Sequence, residues 1–99
     1  MSARGYIILL ALSFPCLAAK EKALGDLLTE SGWDVDGLMK STRGWSRAEK
    51  EAALFIANVW NPGYAQERRW RFDAMEAVAL WDNGNRQAYL EWVTQPRWP

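Results

Sequence analysis

The chain contains no histidine, and among its 99 residues there is one cysteine, Cys16. These absences exclude more than any motif identifies. Without histidine there is no Ser-His or Cys-His nucleophile pair, and no Cys/His zinc site. A single cysteine makes no intrachain disulfide. Carboxylate chemistry is the main enzymatic route that remains. Charge of one sign is also lacking. Twelve basic residues balance twelve acidic ones, so the chain carries no electrostatic footprint for nucleic acid.

Long apolar runs are scarce as well. The one that exists spans Tyr6 to Ala19, 14 residues, whereas a membrane-spanning helix needs about 17–25. Arg4 precedes this run, Pro15 interrupts it, and Ala18 and Ala19 follow as small residues. A short basic start, an apolar stretch and a small-residue end make the pattern of an export signal. Residues 1–19 are therefore expected to be a signal peptide, cut after Ala18 or Ala19, with residues 20–99 as the mature domain. On that reading Cys16 leaves with the signal. Eleven basic residues then face twelve acidic ones, no transmembrane segment remains, and the protein is exported, to the periplasm or beyond. Cys16 as a lipid-anchored residue fits poorly, because Ser13, Phe14 and Pro15 precede it.

A domain this small, with neither disulfide nor metal, must hold together by packing. Seven tryptophans supply bulk for that: Trp33, Trp45, Trp60, Trp70, Trp81, Trp92 and Trp98. Each large aromatic buries roughly 150–250 Å². Apolar spacing after residue 20 is helical throughout. It predicts a first helix over 20–30, weakened inside by Gly25, and a short second helix over 35–40 with Asp34 as its cap. The third has the clearest start, the capping box Ser46-Arg47-Ala48-Glu49. Its wide apolar face (Ala48, Ala52, Phe55, Ile56, Val59) marks it as the central helix, ending at Asn61-Pro62-Gly63. A fourth helix is expected over 64–81, with Trp70 and Trp81 three turns apart on one face. A fifth runs from a cap at Asn85 to Thr94. The fold class is all-α: a small irregular, orthogonal bundle of four to five helices, with an extended tail over 95–99.

Four residues stand out as interaction candidates. Trp33 and Trp45 lie in loops, and Arg97 and Trp98 lie in the tail, where two prolines stiffen the chain. Exposed aromatics of this kind are enriched at interfaces. The run Arg68-Arg69-Trp70-Arg71 reads as a solvated helix face, neutralised by Glu67–Arg71 and Arg69–Asp73 pairs at i,i+4. Asp82-x-Gly84 lacks the later ligands of a calcium loop. No metal and no cofactor are expected. For a glycan hydrolase two acids must face each other across a cleft, and Asp73–Glu76 and Asp34–Asp36 are the pairs to watch. Taken together, the residues suggest a non-catalytic helical protein that binds another envelope or secreted protein, for instance in a secretion or conjugation-type assembly. A glycan- or peptidoglycan-binding module, or a small carboxylate-dependent glycan hydrolase, is the alternative.

Overall fold

A computed structural model describes residues 3–29 and 32–98. The expected end of the first helix at Glu30 and the tail's last residue, Pro99, lie outside the described residues. Everything described is helix or connection, with no strand. The order is α1 (Ala3–Leu12), α2 (Pro15–Ala18), α3 (Glu21–Leu24), a 3-10 turn (Gly25–Leu28), α4 (Val35–Ser41), α5 (Arg47–Trp60), α6 (Pro62–Glu67), α7 (Ala74–Leu80) and α8 (Asn83–Thr94).

The leader-like segment is part of the packed interior. Ile7, Ala11, Phe14 and Leu17 are fully buried, and Ile8 and Leu10 nearly so. Both α1 and α2 pack on α5. Pro15 breaks the run at the start of α2, where its missing N–H costs nothing. That turn lets Phe14 and Leu17 reach the same core as α1. The backbone N–H of Cys16 then donates to Asn85 Oδ1 at 3.2 Å. Asn85, itself buried, also donates from Nδ2 to Asp82. Gly84 lets α2 and α8 approach closely: a Cβ there would stand 3.0 Å from Pro15 Cγ, so the contact would have to ease by a few tenths of an ångström.

The central element is α5, as its apolar pattern predicts. Ser46 and Glu49 complete the capping box in both directions, and Lys20 pairs with Glu49 at 2.9 Å. Burial extends over most of the helix: Ala52, Ala53, Phe55, Ile56, Ala57 and Val59 are all inside. Alanines on this face let α1 and α2 approach closely, while Phe55 fills the wider space toward α7 and α8.

Three boundaries differ from expectation. The first helix stops after one turn, because Gly25 takes φ +55°, and continues as a 3-10 turn. The expected 64–81 helix is two helices. α6 ends in a Schellman turn: Trp70 N–H donates to Ala65 O, Arg69 N–H donates to Gln66 O, and Arg69 sits at φ 62°. A non-glycine residue in the left-handed region costs about 1–2 kcal/mol, so tertiary contacts must hold this turn. Asp73 then caps a fresh helix by accepting from Glu76 N–H. The break removes the register on which the Glu67–Arg71 and Arg69–Asp73 pairs depended. Further along, α8 is capped by Asp82 rather than Asn85.

Core aromatics form one connected set. Phe14 lies 5.6 Å from Phe55 and 5.3 Å from Trp81 between ring centres. Trp81, 1 % exposed, donates its indole N–H to Ala48 O at 2.8 Å. Tyr89 and Phe72 complete the set against Phe55 and Trp81. Such pairs add about 0.5–1.5 kcal/mol each beyond the area they bury.

Packing of α2 has a chemical consequence. Burial, with the nearby carboxylates of Glu49 and Asp82, pushes the Cys16 thiol up to about 11. Only the thiolate is reactive. At pH 8, alkylation of Cys16 by iodoacetamide should be roughly two-hundredfold slower in the folded protein than in urea, given a free thiol pKa near 8.5. Equal rates, followed by mass, would mean that α2 does not pack as described.

Candidate functional site

The first helix and the tail after α8 meet beside an aromatic pocket. After α8, the tail turns back across the end of that helix. The carbonyl of Arg97 accepts two hydrogen bonds, from Tyr6 Oη at 3.0 Å and from Trp92 Nε1 at 3.1 Å. Its guanidinium lies 5.3 Å over the Tyr6 ring. Trp98 follows and meets Trp92 edge to face, with ring centres 5.1 Å apart. Trp98 remains 61 % exposed. It therefore covers the pocket from the solvent side and is not absorbed into the core.

Beneath it lies a cavity of about 230 Å³. Its walls are Phe55 and Val59 of α5, Phe72 before α7, Tyr89 and Trp92 of α8, and Trp98. Ala74 leaves the rim open where a larger side chain would close it. Asn58 supplies the only amide in the lining, and its Nδ2 is committed to Leu54 O and Trp70 O. A pocket so apolar, with its one amide donor already used, suits a ring or a branched aliphatic group rather than a polar ligand.

The four candidates from the sequence separate cleanly. Arg97 and Trp98 come together here. Trp33 goes to the interior, 9 % exposed and edge-on to Trp60 at 5.6 Å. Its indole Nε1 has no partner among the described residues. Trp45 is half-buried beneath the Lys20 ammonium, 4.9 Å from the ring centre. Sequence reasoning missed Tyr6, which it placed in the leader, and Phe72, which it placed inside a continuous helix. Phe72's role was hidden because the break at Arg69 has no glycine to announce it.

The acids that a hydrolase would use are committed elsewhere. Asp34 caps α4 by accepting from Gly37 N–H, and Asp73 caps α7. Glu76 pairs with Arg47. Asp36 accepts from Arg68 and Tyr64, which hold it below the ordinary carboxylate range, Arg68 contributing most. Glu51 is buried and accepts from Asp73 N–H at 3.0 Å. Burial raises its carboxyl, yet it faces a backbone amide and not an open cleft. Among the described residues no cluster of acids could hold a metal ion, and no helix is long and apolar enough to cross a membrane. No family model, curated protein or solved structure matches this chain.

The tail's hold on Trp92 can be read directly. Truncation after Gln95 removes the Arg97 carbonyl and Trp98. The Trp92 indole N–H resonance should then shift and exchange faster with solvent, at a stability cost of about 1 kcal/mol for the lost hydrogen bonds. Far-UV circular dichroism should be unchanged. An unmoved Trp92 resonance would show that the tail does not close the pocket.

Proposed function

We propose that this protein is a non-catalytic helical interaction module that takes an apolar side chain of a partner protein into the aromatic pocket under its C-terminal tail. The supporting observation is the pocket itself: about 230 Å³, walled by Phe55, Val59, Phe72, Tyr89 and Trp92, and roofed by an exposed Trp98. One aromatic residue of a partner is the occupant whose size and chemistry fit. Interface anchors are commonly aromatic and seat in desolvated pockets of this sort. The tail would serve as the adjustable rim, since two hydrogen bonds to one carbonyl tie it down.

The setting proposed is the cell envelope or beyond, as an envelope or secreted interaction protein. Support for it is the pattern of residues 4–19 alone. A cut after Ala18 or Ala19 would remove Ile7, Ala11, Phe14 and Leu17 from the core, and Tyr6 from the tail contact. The binding-competent form proposed here keeps those residues, so the envelope setting is proposed with this segment uncleaved. A glycan-cleaving role has less support, because the acids it would need are engaged in caps and ion pairs.

The test uses N-acetyl-phenylalanine amide as a stand-in for the partner's side chain. Titrated into the full chain, it should shift the Trp92 and Trp98 indole resonances with a Kd of about 1 mM, the scale of a single-anchor interaction worth about 4 kcal/mol. Ala74→Leu, which fills the rim, should abolish the shifts while leaving the melting temperature unchanged. Absence of shifts, or shifts that persist in Ala74→Leu, would contradict the proposal.

A further inference from the structure

A second cleft lies between α4 and the Schellman turn that ends α6. It has a volume of about 260 Å³ and is lined by Asp36, Met39, Lys40, Arg43, Arg68 and Trp70. The break at Arg69 makes this cleft. It turns the chain so that Arg68 reaches α4, and Trp70 packs edge-on to Tyr64 at 5.6 Å. Arg68 is held on several sides. Its Nη2 is 2.7 Å from Asp36 Oδ1, and its Nε donates to Tyr64 Oη at 3.1 Å. Its guanidinium carbon stands 5.3 Å over the Tyr64 ring and 5.8 Å over Trp70. The head group is thus oriented before any ligand arrives, which spares ordering entropy on binding.

The charge count selects the ligand. Asp36 compensates Arg68. Lys40 and Arg43, near the end of α4, make no ion pair among the described residues. Lys40 also acts on Asp36, but the cleft's three cations outnumber its one carboxylate by two, and one of them is the fixed guanidinium. The rest of the wall is apolar, made by Met39 and Trp70. The geometry points to a binding site for a phosphate monoester dianion carried on a flat apolar group. Lys40 and Arg43 meet the phosphate charge, Arg68 supplies oriented N–H donors, and Met39 and Trp70 face the attached ring. A singly charged anion leaves one cation unmatched, and a bare phosphate leaves the apolar wall unused.

Phenyl phosphate is the probe, measured by isothermal titration calorimetry on the full chain in low-salt buffer. Benzenesulfonate gives the same ring with one charge, and inorganic phosphate gives the charge without the ring. Phenyl phosphate should bind at least about tenfold more tightly than either, a difference of about 1.4 kcal/mol. Its affinity should fall by a similar factor in Lys40→Gln/Arg43→Gln, while Lys22→Gln, an exposed charge change on α3, leaves it unaltered. Circular dichroism of the double variant should match the parent. Equal affinity for all three anions, no measurable heat with phenyl phosphate, or equal loss in Lys22→Gln would overturn the assignment. An equal loss in Lys22→Gln would mark general charge attraction. Because this cleft shares no lining residue with the pocket under the tail, its failure leaves the partner-binding proposal untouched.

Discussion

Phe14 touches both Phe55 and Trp81, and most of the packing is arranged around that contact. The three rings come from three places: the turn between α1 and α2, the middle of α5, and the end of α7. Burying a side chain of this size contributes about 1.5–3 kcal/mol, before any ring-pair preference is added. Trp81 in turn is located by its indole hydrogen bond to the Ala48 carbonyl in the first turn of α5. With a single cysteine in the chain and no cluster of possible metal ligands among the described residues, this aromatic centre does the work that crosslinks do in many domains of similar size.

The N-terminal segment belongs to that centre, and this couples it to the candidate site. Ile7, Ala11, Phe14 and Leu17 enter the core, while Tyr6, on the same helix, reaches out to the tail. The first helix and the last few residues therefore depend on each other. Tyr6 and Trp92 together fix the Arg97 carbonyl, and that fixes where Trp98 hangs over the pocket. Loss of α1 would remove one of the two hydrogen bonds that hold the tail even if α5, α7 and α8 kept their arrangement.

Much of the local structure was legible in the chain. Ser46 and Glu49 announced the start of α5, and its alanine-rich apolar stripe announced its central place, because both signals are local. Asp34, Asp73 and Asp82 are all caps, though only Asp34 was read as one. The break at Arg69 was not legible. Trp70, Ala74, Ala77 and Trp81 keep helical spacing across it, and a left-handed arginine gives no compositional warning. Nor does composition say whether an apolar run of 14 residues is exported or folded in. Both fates need hydrophobicity, and the packing against Phe55, Trp81 and Asn85 is seen only in the folded chain. In the site, Arg97 and Trp98 were found from exposure and stiffness, whereas Tyr6 and Phe72 became visible only through tertiary contacts.

The central claim is that residues 3–19 are structural. Its most direct test compares thermal unfolding of the full chain with that of a chain beginning at Lys20, both followed by near-UV circular dichroism of the tryptophans. The account predicts a cooperative transition for the full chain and its loss in the shortened one. Removal of Phe14 alone should cost about 3–5 kcal/mol, a large share of what so small a domain has. A shortened chain that melts cooperatively at the same temperature would contradict the account, and would restore residues 1–19 to the role of a leader.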